Sequence, residues 1–219
     1  MDTRTKEAVR YLGYGSHAID DDTLALIGSS FEELERTASR RIIYRIFDVS
    51  FWGDTGLKIE TLEIDSRDLR KNLNGCEKVI VLGATLGAEA DLLLRRYALT
   101  DMARVVVLQA CAAALLEEYL DRCQEELRQA QEEAGYYLRP RFSPGYGDFS
   151  IGHQGGILRM LDASKRIGLS MTDGNMLAPT KSVTAVIGLG RTKPSRCIEG
   201  CEGCGKRDCS YRRDKGVGE

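Results

Sequence analysis

Histidine and proline are scarce in this chain, with two of the first and four of the second among 219 residues. The two histidines, His17 and His153, stand far apart, and neither belongs to a metal pair of the His-x-x-x-His kind. No Gly-x-Ser-x-Gly occurs, which removes the nucleophile elbow of a hydrolase. A phosphate loop ending in Gly-Lys-Ser/Thr is missing too, and Gly83 and Gly87 do not complete a Gly-x-Gly-x-x-Gly. Neither sign of charge is in excess: 31 Lys and Arg face 33 Asp and Glu, a net charge of -2 without the basic footprint of a nucleic-acid binder. No apolar run reaches the roughly 18 to 20 residues of a membrane-spanning helix. Residues 1–6 have no apolar signal core, so a cytoplasmic location is expected. Side-chain acid–base and nucleophile pairs are therefore in short supply. That shortage favours a protein that binds a cofactor or partner which carries the chemistry.

What is present indicates one sizeable globular unit with an appendix. Residues 3–14 place Ala8, Val9, Tyr11 and Leu12 near helical spacing, and Asp20 to Thr23 start a second helix whose apolar face is Leu24, Ile27, Phe31, Leu34 and Ala38. Glu32, Glu33 and Glu35 are its solvated side. The period then changes. Residues 41–52 are β-branched and aromatic, a turn follows at 53–56, and the alternation over 57–64 predicts a second strand, so the two form a hairpin. Trp52 at its tip reads as packing. Residues 66–73 suit a short helix.

Residues 76–87 form a buried strand running into a glycine-spaced turn, which reads as a plain structural turn, with a strand-to-helix turn near a ligand as the alternative. A helix over 89–97 follows, and Thr100-Asp101 caps a much longer one reaching about Glu133. Its first half, 105–116, is apolar nearly all round and should be buried; its second half, 117–133, is charged and should project into solvent. A helix over 154–167, with Leu158, Leu161 and Ala163 inward, a short strand at 169–171 and a strand over 181–190 complete the pattern. Four or five strands with long, unevenly spread helices and no regular βα alternation imply an α+β fold. Its sheet should be twisted and mostly antiparallel, flanked by long helices. The expected organisation is residues 1–75 as helices and hairpin of the same domain, 76–192 as the core, and 193–219 as a cysteine-rich tail.

Seven cysteines divide into two groups. Cys76, Cys111 and Cys123 lie in apolar or helical surroundings and read as free thiols. Cys197, Cys201, Cys204 and Cys209 fall within 13 residues, interleaved with Gly200, Gly203 and Gly205, which let a backbone wrap closely around an ion. Four such thiolates suit zinc or an iron–sulfur cluster, and spacing does not choose between them. A tail that collects metal adventitiously is the plain alternative. The first three thiols also match the spacing of radical S-adenosylmethionine enzymes, but those carry the triad ahead of a barrel, and only 15 residues follow Cys204 here.

The remaining feature is the stretch 139–146, Arg-Pro-Arg-Phe-Ser-Pro-Gly-Tyr. Pro140 and Pro144 stiffen it, and helical patterns flank it. Alone, it is either a rigid connector or backbone held to meet a ligand.

Arg141-Phe-Ser-Pro-Gly-Tyr146 resembles the Arg-x-x-Pro-Gly-Tyr motif of the activation domain of cobalamin-dependent methionine synthases. Met171-Thr-Asp, residues 176–179 and Ser182-Val-Thr-Ala are similar to that domain's Leu-Thr-Glu…Pro-Gly-Ala-Ser-Val-Ser-Gly, and Glu118-Tyr119-Leu120 gives a third match. The likeness spans about residues 76–190. The Tyr-Leu-Gly-Tyr at 11–14, Asp-Met-Ala at 101–103 and Tyr211-Arg-Arg resemble free-standing members of this family. The resemblance implies a reactivation role: the domain docks over cobalamin, and one electron with a methyl from S-adenosylmethionine restores methylcobalamin. It implies cobalamin on a methionine synthase or related corrinoid partner, and an external electron donor. It also implies a ligand site in which Arg141 meets the methionine carboxylate. Ser143 and Gly145 would offer backbone groups, Tyr146 would pack on or bond the ligand, and Ser182 would lie on the facing strand. Two family positions differ: a glutamate on the long helix is Ala114 here, and a tyrosine after Ser-Val-Ser-Gly is Ile187. The alternative function is a non-catalytic scaffold of a corrinoid methyltransferase system.

Overall fold

A computed structural model describes residues 1–14 and 19–193. The first two helices, α1 (Thr3–Tyr11) and α2 (Asp21–Thr37), each start on an aspartate whose carboxylate accepts a backbone N–H at 2.7 Å, from Thr5 to Asp2 and from Thr23 to Asp20. The long strand β1 (Arg41–Trp52) turns into β2 (Gly56–Ile59). Trp52 lies on Gly56, where a Cβ would collide with the indole. A second tight turn leads into β3 (Leu62–Asp65). The alternation read as one strand over 57–64 is thus broken in two, because Glu60 takes a left-handed backbone (φ 53°) that reverses the chain.

The next elements are α3 (Arg67–Asn72), β4 (Cys76–Thr85), α4 (Ala88–Ala98), α5 (Met102–Glu133) and the two-residue β5 (Tyr137–Leu138). After a loop come α6 (Gln154–Leu161) and α7 (Ala163–Ile167). The single helix expected over 154–167 is two, split where Asp162 is left-handed (φ 53°). Leu158, Leu161 and Ala163 are nonetheless all buried. The ribbon β6 (Ser170–Met171) and β7 (Leu177–Ala178) precedes the last strand, β8 (Ser182–Gly190).

The main sheet has six strands in the order β3-β2-β1-β4-β8-β5, every neighbouring pair antiparallel, and the fold is α+β as expected. The eight described strands are three more than the five read from the sequence: β3, from the split of 57–64, and the two-residue β5 and β7, too brief for a periodic signal. Helices cover both faces. Ile80, Leu82 and Ala84 of β4, with Ala185, Ile187 and Leu189 of β8, join a core with α1, α2, α4 and α5. The alternate residues Val79, Val81 and Val186 face a second core with Phe149, Ile157, Leu161 and Leu169. Both central strands are therefore apolar on both sides, which is why they read as continuous runs. Gly83 sits in β4 beneath Leu161 and Leu169, and Gly87 (φ 84°) caps α4, so the glycine-spaced turn is structural. Among the described residues no helix is long and apolar enough to cross a membrane.

Candidate functional site

The stretch 139–146 runs along the outer edge of β8. Tyr137 pairs with Gly190 and Leu138 with Leu189, Arg139 donates its N–H to Gly188 O at 2.8 Å, and Phe142 exchanges both backbone bonds with Val186 at 2.8–2.9 Å. Proline at 140 cannot donate, and the ladder is interrupted there. Beyond Val186 the edge of β8 has no strand partner among the described residues. At that point the chain leaves the sheet and makes the Ser143-Pro-Gly-Tyr turn.

The turn is tied on three sides. It closes on itself, with Tyr146 N–H donated to Ser143 O at 3.1 Å and Gly145 N–H donated to Phe149 O at 2.7 Å. Gly145 is left-handed (φ 95°), a conformation that only glycine takes without strain. Phe149 is 1% exposed and stacks on His153 with ring centroids 5.5 Å apart. His153 is therefore a packing residue, its pKa pushed down by burial. His17 lies outside the described residues.

The second tie is Asp148. Its carboxylate accepts from Ser66 Oγ at 2.5 Å, Arg67 N–H at 2.8 Å and Asp68 N–H at 3.1 Å, so it caps the start of α3 from 80 residues away. Asp68 answers by accepting Asp148 N–H at 3.3 Å. The Ser66 hydroxyl first, then the backbone amides, hold the Asp148 carboxyl below its usual range.

The third tie is Arg141 itself. Its guanidinium bonds Asp121 Oδ1 at 2.7 Å, Glu117 Oε2 at 3.1 Å and Gln124 Oε1 at 3.1 Å. With Ala114, these positions form one stripe of α5, since 114, 117, 121 and 124 recur at helical spacing. The charged half of α5 is thus not wholly a solvent-facing projection. Leu120 and Leu127 are buried in it, and its acids hold the turn.

The structure unites Arg141, Ser143, Gly145 and Tyr146 in one turn, with Tyr146 67% exposed at its apex. Ser182 stands apart, four residues or about 13 Å along β8 from Val186. Its hydroxyl sits 2.7 Å from both Thr85 Oγ1 and Pro179 O and is bound into the scaffold. Ala114 and Ile187 are buried, both in the core on the α5 side of the sheet.

Sequence reasoning missed Glu117, Asp121, Gln124 and Asp148. The acids at 117 and 121 stand four apart on the helix but look like any solvated helical pair, and nothing local marks Asp148. Ile151 beside the turn, and Met171 and Met176 on the ribbon, are exposed apolar side chains. Ile151 lies 3.5 Å from a Cβ built on Gly145, Met171 packs on Gly155, and Met176 is 68% exposed on the ribbon. Among the described residues no group of three or more metal-ligating side chains occurs. Cys197, Cys201, Cys204 and Cys209, the expected metal set, lie outside the described residues.

No protein-family model matches the sequence, and no curated protein matches it. Among solved structures the chain is similar to the MetH reactivation domain bound to AdoHcy, with a TM-score of 0.61 and 14% identity over 88% of this chain and 78% of that one. At that identity the likeness establishes a common fold.

Proposed function

We propose that this chain is a free-standing reactivation subunit for a cobalamin-dependent methionine synthase, and that it presents S-adenosylmethionine to the corrinoid of its partner. The observation that carries this reading is the Arg141–Tyr146 turn. It stands where the outer edge of β8 loses its strand partner, tied to α3, α5 and the core. It does so in a fold shared with a domain whose structure holds AdoHcy.

The residues suit such a ligand. Arg141 offers a planar fork for the methionine carboxylate. The turn 143–146 supplies backbone groups, although Gly145 N–H is already used in closing the turn. Tyr146 offers an exposed ring. Ser182 would belong to the far end of the same edge. The ligand brings a methyl group, and this chain's part is to bind and aim it. The exposed Tyr146 and Ile151, which lies beside Gly145, give the turn an apolar surface that would meet the corrinoid face. The four cysteines of the tail would hold zinc or an iron–sulfur cluster, and a separate donor would supply the electron.

A second reading, a scaffold protein of a corrinoid methyltransferase system, is favoured by Arg141 being already paired with two carboxylates and by Ala114 and Ile187 being buried. Titration calorimetry with S-adenosylmethionine separates the two, run on the chain alone and with the corrinoid protein. The reactivation reading expects heat in at least one case. It also expects Arg141→Ala to weaken binding about tenfold or more, the worth of one charge-assisted contact. Its effect on folding should stay within about 1 kcal/mol, since the ion pairs are partly exposed. No heat in either case leaves the scaffold.

A further inference from the structure

The Arg141 cluster holds more negative charge than its arginine balances. One guanidinium faces two carboxylates, Glu117 at 3.1 Å and Asp121 at 2.7 Å, and the third partner, Gln124, is neutral. Against Glu117 from α1 stands Tyr11, whose phenol is pushed up by burial first and then by Glu117; the cation beside it, Arg10, lies 4.3 Å over its ring and is matched by Glu7 at 2.6 Å, so the Arg10–Glu7 pair brings no net positive charge. Asp121 is 61% exposed at the side chain and Glu117 36%, so both are reachable from solvent. A ligand that offered only a carboxylate to Arg141 would have to displace two others and would leave them unpaired. A ligand with a carboxylate and extra positive charge would satisfy all three groups.

S-adenosylmethionine is such a ligand. It carries a carboxylate, an ammonium and a sulfonium, for a net positive charge. Once the methyl has left, the sulfur is a neutral thioether, and the product, S-adenosylhomocysteine, has no net charge. We infer that Glu117 and Asp121 are specificity-determining residues that make this site prefer the sulfonium substrate to the thioether product. The inference rests on the proposed function and deepens it. Arg141 takes the ligand carboxylate, the ammonium takes its place against the α5 acids, and the remaining negative charge acts on the sulfonium.

The preference follows from charge at a partly solvated site, so it should be modest and screened by salt. The test is a pair of dissociation constants, for S-adenosylmethionine and for S-adenosylhomocysteine. They are measured on the full chain, with the corrinoid protein if that is needed for binding, in low salt and in roughly 1 M salt. The expected result is about tenfold tighter binding of the sulfonium form at low salt, equal to about 1.4 kcal/mol, shrinking toward parity in high salt. Asp121→Asn and Glu117→Gln keep an acceptor for Arg141 but remove charge, and each should lower the ratio by weakening the sulfonium form more than the thioether, which shares only the ammonium contact. Equal affinities in the unaltered chain, or a preference that survives both substitutions and salt, would overturn the inference and leave the proposed function standing. Binding of neither ligand under any condition overturns both.

Discussion

Asp148 Oδ2 accepts the backbone N–H of Arg67 at 2.8 Å across 81 residues of sequence. The contact joins the loop that follows Tyr146 to the first turn of α3, and so couples the candidate ligand turn to the hairpin half of the molecule. Helix N-termini leave their first N–H groups without intrahelical partners. Here a distant carboxylate meets two of them, while Ser66 Oγ meets a third by accepting from Leu69.

Asp148→Ala should therefore lower stability by about 1 kcal/mol, the usual worth of a capping side chain. The loop amides of Gly145 and Phe149 should exchange faster with solvent in the variant. The pH dependence has a definite sign. The folded-state carboxyl is held below its ordinary 3.8, so its contribution is fully present above that value and is lost as pH falls through the lower folded value. Urea unfolding between pH 7 and pH 2 checks this. The difference between Asp148→Asn and the unaltered chain should be constant above about pH 5 and should close in acid. A difference that widens in acid would be incompatible with the cap.

Two glycines in the turn invite a paired experiment. At Gly147 the backbone is left-handed (φ 51°), and an added Cβ would lie 2.2 Å from Asp68 Oδ2. At Gly145 the backbone is also left-handed (φ 95°), but the nearest atom to an added Cβ is Ile151 Cδ1 at 3.5 Å. Gly145→Ala should thus cost only the backbone strain, about 1–2 kcal/mol. Gly147→Ala should cost that and also push Asp68 off Asp148 N–H, for a total of about 2–3 kcal/mol. Thermal unfolding of both variants ranks them. If Gly145→Ala is the more damaging, the Asp68 contact is not what requires glycine at 147.

The sheet was legible because β4 and β8 are buried on both faces and so form unbroken apolar runs, and because β1 is long and β-branched. The breaks were not. Glu60 and Asp162 take left-handed backbones without glycine, so no glycine marks either break in the sequence. The site divides in the same way. The turn at Arg141–Tyr146 was visible through Pro144 and Gly145, which act locally. Its supports, Glu117, Asp121 and Asp148, were not, since each acts across the fold on a residue 20 to 81 positions away. Acids on a helix read as solvated until something is known to face them.

The cysteines permit a test of the tail that does not rely on binding S-adenosylmethionine. Burial pushes the Cys111 thiol up to about 12, so its thiolate fraction near pH 7.5 is on the order of 1 in 10,000 or less. Cys76 is buried and shifted the same way by desolvation, which outweighs the Arg139 cation beside it. Cys123 is raised as well, again by desolvation first, though it is less buried. All three should react slowly with a thiol-specific reagent while the protein is folded, Cys76 and Cys111 slowest. Against that quiet background, Cys197, Cys201, Cys204 and Cys209 can be followed by peptide mapping. If they ligate a metal together, anaerobically prepared protein should protect all four, and a strong chelator should release them as a set. A visible thiolate-to-iron band lost with the metal would assign an iron–sulfur cluster, and a colourless metal measured as zinc would rule out electron transfer through the tail. Four thiols that label at independent rates, unchanged by the chelator, would mean that the tail holds no metal.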